Sequence, residues 1–406
     1  MNQSNLSPAP GQRYRILGVA VAIFMLMGAY YGWSIFVPPL ENEFGWQRAQ
    51  TSLPFTVCLI MFCLGGVGAG FLNKFWKQRY TIWLGALMIG TGFSLGSRAE
   101  SLAALCIGYG ALGGGGIGAA YNAILSMTLR WFPDRLGLAS GLLMMAYGLG
   151  GLTVNVAGTQ MIAAWGWRAT MFAFALAISL IMALGAFFIA APPDGLELPR
   201  RPDAGKTVNE DSLDLAPGQM LRRSSFRLYF AWILLLYASG LMLIGHAVPF
   251  AGELSFSPGL AALLAGLVAA CNGGGRLLSG LMLDRFGRKA LMRGISCCFI
   301  AAALLLLLAL QSGGPKPLSV AGFILAGLAY GGAVACTAAV ISLFYGARNY
   351  SLNFSLANCA TAFAALLGPF LAGWLHRITG GYSGLALSML LFGGLALLLA
   401  VRLKRP

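Results

Sequence analysis

GLAALLAGLVAACNGGGRLLSGLMLDRFGRK, residues 259–289, decides how this chain is read. Gly259–Leu283 is long enough to cross a bilayer, which needs about 20 mainly apolar residues. One ionised side chain, Arg276, lies well inside it, and the next charge is Asp284. An arginine at the centre of a span costs about 2.5–3.5 kcal/mol on insertion scales, so it is kept for a partner or a task. The most direct task for one buried guanidinium is to hold one anion.

The rest of the chain places this segment in a membrane protein. Of 406 residues, 58% are hydrophobic and 10% charged. A soluble chain carries about a quarter charged residues, so this one lacks the means to cover a water-facing surface. Twelve candidate spans follow: 15–40, 52–73, 79–97, 102–128, 138–163, 167–191, 226–251, 259–283, 290–311, 318–345, 351–376 and 382–402. The net charge of +15 sorts by side. With the N-terminus inside, only Arg48, Arg98, Arg168, Lys316 and Arg377 fall outside. Apart from Arg276 itself, the rest of the 27 lysines and arginines fall inside. The positive-inside rule then sets both termini in the cytoplasm. It accounts for the basic balance without a nucleic-acid groove. The run Ile16–Leu40 is too long for a signal-peptide core and reads as a retained helix. The eight cysteines sit in apolar spans without metal-ligand spacing and read as packing.

One long polar stretch, Pro192–Ser225, divides the spans six and six. Such a linker between hydrophobic halves points to two repeats, 1–191 and 226–406, with a site between them. Internal echoes agree. Gly70-Phe-Leu-Asn-Lys-Phe-Trp-Lys-Gln-Arg79 follows the second span as Gly280-Leu-Met-Leu-Asp-Arg-Phe-Gly-Arg-Lys289 follows the eighth. Arg130-Trp-Phe-Pro-Asp-Arg135 joins the fourth and fifth spans as Phe344-Tyr-Gly-Ala-Arg-Asn-Tyr350 joins the tenth and eleventh. The many in-span glycines permit close helix packing.

These residues resemble a known family. Gly280, Asp284, Arg285, Gly287, Arg288 and Lys289 look like the inner-loop motif of the major facilitator superfamily, and 70–79 like a weaker copy with Asn73 in place of an aspartate. Arg130–Arg135 with Gly137–Gly141, Asn272–Arg276 and Gly346–Tyr350 resemble motifs of its monocarboxylate porters and oxalate–formate antiporters. The resemblance implies an all-α membrane protein of twelve transmembrane helices in two pseudo-symmetric halves. Departures narrow the substrate. The antiporters carry a second buried cation in the eleventh helix, where Ala357 stands here. One cation balances one carboxylate, so a monocarboxylate such as lactate or pyruvate is expected. Animal relatives place a proton-coupling aspartate one turn before the arginine and a lysine near the end of the first helix. Here those places read Asn272 and Val37-Pro38-Pro39.

Asn272 and Arg276 stand at i and i+4, on one helix face, with amide and guanidinium suited to one carboxylate. The competing reading pairs Arg276 with a backbone carbonyl or lets it snorkel inward. The resemblance implies that Tyr121 and Tyr330 line the cavity, where a phenol can donate to a carboxylate and contact a methyl group. It also implies places there for Phe354 and Met145. Of the neighbours Tyr30 and Tyr31, the second is preferred. His246, three residues before Pro249, has the ordinary pKa near 6.5 that suits a proton step, and Glu253 is the other proton candidate. Asp284, Arg285, Arg288 and Arg135 are read as the inner gate, which holds one state of the transport cycle and breaks on switching.

The expected activity is proton-coupled symport of a small monocarboxylate across a bacterial inner membrane by a monomer. Anion exchange and a non-transporting nutrient sensor are the alternatives. Cationic drug efflux is disfavoured, because no carboxylate lies mid-span. No catalytic constellation, cofactor motif or metal-ligand spacing is visible, so no enzyme is expected.

Overall fold

The computed structural model describes residues 11–28, 33, 35–46, 48–51, 53–193, 196, 214–311 and 316–403, and among them the ordered elements are helices. A bilayer offers no water to backbone N–H and C=O groups, and an α-helix satisfies them within one segment. The longer helices are α1 (Gln12–Met27), α2 (Val37–Phe44), α3 (Leu53–Leu72), α4 (Gln78–Ser97), α5 (Gly114–Arg130) and α6 (Leu136–Gly185). They continue as α7 (Ser224–Glu253), α8 (Pro258–Gln311), α9 (Lys316–Tyr345), α10 (Tyr350–Asn358), α11 (Ala360–Thr379) and α12 (Ser383–Arg402). A π-helical stretch, Cys106–Gly113, leads into α5.

Among the described residues, eight helices are long and apolar enough to cross a membrane. The difference from twelve expected spans has a structural reason. Helix α6 runs for 50 residues and α8 for 54. An unbroken helix of that length, at 1.5 Å per residue, would exceed twice a hydrocarbon core of about 30 Å. Each is broken by one glycine, Gly166 (φ 79°) and Gly287 (φ 75°), in a conformation that disfavours other residues. Each run is therefore two helices that meet at a glycine, one for each of two expected spans. Helix α1 has only 16 residues, and Leu136–Gly151 is a shorter apolar stretch.

The described residues form two compact units. One takes in those of Met1–Ala139, Ala146–Asp214 and Ala347–Leu356. The other takes in those of Ser140–Met145, Leu215–Gly346 and Ala357–Pro406. Most of the polar linker, including 197–213, lies outside the described residues. Its end packs into the second unit, where Leu215 N–H donates to Tyr345 O at 3.1 Å.

Glycine sets how closely α3 and α5 approach in the first unit. A Cβ added at Gly118 would lie 1.9 Å from the Phe62 carbonyl oxygen, and one at Gly65 would lie 2.1 Å from that of Gly115. Nothing stands within 4 Å of a Cβ at Gly68 on the same helix. Gly118→Ala is expected to lower the melting temperature of the purified protein by several degrees, consistent with an overpacking cost of about 1–3 kcal/mol. Gly68→Ala should leave it unchanged or slightly raised. Equal melting temperatures for the two variants would contradict this packing.

Candidate functional site

The glycine run that precedes Arg276 in the sequence is a helix contact. A Cβ at Gly275 would lie 2.1 Å from Leu328 O, and one at Gly331 would lie 1.9 Å from Asn272 O. The backbones of α8 and α9 are thus nearly touching, and Tyr330 is carried to the level of Asn272. Arg276 is 3% exposed. Its Nε donates to Asn272 Oδ1 at 3.0 Å, and its Nη1 donates to the Met144 carbonyl oxygen at 2.9 Å. Met144 belongs to Ser140–Met145, the short piece of α6 within the second unit. Gly141 lets this piece sit close, since a Cβ there would be 3.0 Å from Arg276 O.

Both acceptors are neutral dipoles. They fix the plane of the guanidinium. The i, i+4 pairing expected from the sequence is therefore present, and so is the competing carbonyl contact. Met145, next to the residue whose carbonyl accepts in that contact, is half-buried. Tyr330 is buried with its ring against Gly240 of α7, where a Cβ would be 2.1 Å from Cδ2. It also lies edge-on to Tyr237 at 6.0 Å.

Tyr121 and Phe354 meet in the first unit, their rings stacked 6.2 Å apart. Phe24 stacks on the other side of Tyr121 at 4.8 Å, while Phe62 and Tyr147 close edge-on at 5.3 and 5.1 Å. Tyr350 continues the stack beyond Phe354 at 5.6 Å. Both Tyr121 and Phe354 are at most 5% exposed. Tyr31 lies outside the described residues.

The two proton candidates meet at one residue absent from the sequence reading, Tyr382. His246 Nε2 stands 3.2 Å from the Pro369 carbonyl oxygen, which only accepts, so Nε2 carries the hydrogen. Nδ1 then accepts from the Tyr382 hydroxyl at 3.1 Å. The Tyr382 peptide N–H donates to both Glu253 oxygens, at 2.9 and 3.1 Å.

The gate candidates divide. Arg288 lies over the Phe344 ring at 4.1 Å, Arg285 is exposed over Phe286 at 5.4 Å, and Asp284 is half-buried in the same unit. Arg135, in the first unit, is exposed and 3.8 Å from Asp134. Asp134 is held more tightly by Arg13 at 2.9 Å, and Trp131 Nε1 donates to Ala190 O at 2.7 Å. Much of the Arg130–Arg135 motif thus ties together the first unit.

A buried polar chain in the first unit escaped sequence reading. Thr81 Oγ1 donates to Asn73 Oδ1 at 2.5 Å, and Asn73 Nδ2 donates to Ser351 Oγ at 3.2 Å. Ser351 Oγ passes its own hydrogen to Asn122 Oδ1. Asn122 Nδ2 donates to Ser351 O at 2.6 Å and reaches Ser355 Oγ. An aspartate at 73 could accept from Thr81 but could not donate to Ser351, so asparagine suits this chain. The available signal was Asn122 itself, a polar side chain in the apolar run Ala119–Leu125.

The Major Facilitator Superfamily model matches residues 19–314 and 230–406. The chain belongs to the Major Facilitator Superfamily. This facilitator is 26% identical to the oxalate:formate antiporter of Oxalobacter formigenes over 373 residues, covering 90% of this chain and 87% of that protein. It is 24% identical to monocarboxylate transporter 12 of Xenopus laevis over 376 residues, covering 86% and 79%. Its fold is that of the solved transporter FucP (TM-score 0.75, 14% identity, 97% of this chain and 100% of that one) and of the proton:xylose symporter XylE (TM-score 0.72, 17% identity, 97% and 95%). It is therefore a transporter of a family of non-enzymatic carriers, related to oxalate:formate antiporters and monocarboxylate transporters.

Asn122→Leu should cost this facilitator on the order of 2 kcal/mol, because Ser351 and Ser355 would lose a buried partner. The check is the melting temperature in detergent, expected to fall by several degrees. An unchanged value would mean that the polar chain does not stabilise the first unit.

Proposed function

We propose that this facilitator is a secondary transporter of a small monocarboxylate, such as L-lactate or pyruvate, moved together with a proton by alternating access. One observation carries the reading: Arg276 is 3% exposed and oriented by two neutral acceptors, with Asn272 one turn away. A guanidinium set in that way is prepared for a carboxylate, whose charge neither an amide nor a carbonyl supplies. Ala357, standing where the antiporters carry a lysine, favours one carboxylate over two. Tyr330 and Met145 of one unit, and Tyr121 and Phe354 of the other, are assigned to the apolar part of the substrate, as is Tyr31. His246 and Glu253 are assigned to the proton. Asp284, Arg285, Arg288 and Arg135 are assigned to gating.

The halves 1–191 and 226–406, joined by the linker 192–225, are taken as the repeats of the carrier. The lysine and arginine distribution supports cytoplasmic termini in a bacterial inner membrane. The protein works as a monomer in this reading. A second reading, anion exchange, draws support from the relative named as an oxalate:formate antiporter. Acceleration of uptake by internal anion distinguishes exchange from symport.

Uptake of labelled lactate into proteoliposomes under an imposed pH gradient tests the proposal. Arg276→Ala should lower uptake on the order of 30-fold or more, the usual cost of removing one partner of a buried charge pair. Undiminished transport by the variant would remove Arg276 from the site. Indifference of the wild type to the gradient would remove the proton.

A further inference from the structure

Where His246 meets Tyr382, one tyrosine serves two titratable groups through two different parts of itself. Its hydroxyl is 3.1 Å from His246 Nδ1, and its peptide N–H holds the Glu253 carboxylate at 2.9 and 3.1 Å. The ring is clamped, stacked on Phe250 at 5.1 Å and 4.6 Å from the His376 ring. The other imidazole nitrogen is tied to Pro369 O at 3.2 Å. Gly381 leaves room for the carboxylate, since a Cβ there would be 2.7 Å from Glu253 Oε1.

We propose that Tyr382 is a positioning residue that makes His246 a reversible proton site, keeping the imidazole hydrogen-bonded in both protonation states. This rests on the assignment of the transported proton to His246. In the neutral state the Tyr382 O–H donates to Nδ1 and Nε2–H donates to Pro369 O. When Nδ1 takes a proton, its new N–H needs an acceptor. A hydroxyl both donates and accepts, so rotation of one O–H bond supplies the acceptor, and no heavy atom has to move. The bond then becomes charge-assisted and stronger than the neutral one. Glu253, fixed by the peptide N–H of the same residue, places a carboxylate beside Tyr382.

Among the described residues, α11 brings His376, whose ring is 4.6 Å from that of Tyr382, and carries the exposed Arg377 next to it. Helix α8 has no charged residue before Arg276. A phenol keeps its proton near neutral pH, so the Tyr382 hydroxyl is able to perform both roles.

The chain has two histidines, so histidine-selective 15N and 13C labelling of the full-length protein yields two imidazole signals. His376→Gln assigns them. The wild-type His246 signal should show the Nε2–H tautomer when neutral. In Tyr382→Phe it should titrate about one pH unit lower than in wild type, the difference between a charge-assisted and a neutral hydrogen bond. Glu253→Gln should move it in the same direction, and it keeps the test open should Tyr382→Phe fail to fold. Midpoints within about 0.2 unit of wild type in both variants, or an Nδ1–H tautomer in wild type, would overturn the role of Tyr382.

Lactate uptake against pH, in the same variants, separates this from the underlying assignment. The uptake midpoint should shift down with the NMR midpoint in Tyr382→Phe, and His246→Gln should lose the pH dependence. A wild-type pH profile in His246→Gln would overturn the assignment to His246, whatever the NMR shows. Loss of pH dependence in His246→Gln with an unmoved Tyr382→Phe would overturn the positioning role alone.

Discussion

A positive charge kept almost out of water is the constraint on which the site depends. Arg276 is 3% exposed in a helix that is otherwise uncharged up to Asp284. A buried charge is costly unless polar groups meet it. Asn272 and the Met144 carbonyl are two such groups, and they fix the direction of the guanidinium. In the proposed function a carboxylate joins them, and the buried charge becomes the selectivity for an anion. The glycines at 275 and 331 belong to the same constraint, because they let α8 and α9 lie close enough to hold the amide level with Tyr330.

The two units solve different problems with similar means. In the second, Tyr229 and Tyr237 share Thr337 and Trp232 bonds Ser296, while Arg276, His246 and Glu253 are each held by partners of their own. In the first, Asn73, Thr81, Asn122 and Ser351 satisfy each other in a relay of donors and acceptors beside an aromatic stack. Such relays are worth having only when every member is satisfied, which explains the choice of asparagine, able to give and to receive, at positions 73 and 122.

The fold was legible because hydrophobic length and the charge pattern are properties of the chain itself. The reading of twelve spans put boundaries at 163–167 and 283–290, and the non-helical Gly166 and Gly287 fall within them. The Asn272–Arg276 pair was legible from helical spacing alone. The Met144 contact was not, because a backbone carbonyl has no sequence signature. Asn122 was visible as a polar residue in an apolar run, but its partner Ser351 is 229 positions away. Tyr382 gave no sign at all: it follows two glycines in a short turn, and only folding brings it to His246, 136 positions earlier. Tyr121 and Phe354 were named from resemblance, and the structure brings their rings together.

The central claim is that Arg276 holds one carboxylate. The most direct measurement is the thermal stability of the purified protein with a panel of acids, in wild type and in Arg276→Gln. A ligand present at 100 times its Kd stabilises by about 2.7 kcal/mol, enough to read as a shift in melting temperature. The account predicts that lactate and pyruvate raise the melting temperature of the wild type, that dicarboxylates do so less, and that Arg276→Gln responds to none of them. Equal stabilisation of Arg276→Gln by the same acids would contradict it.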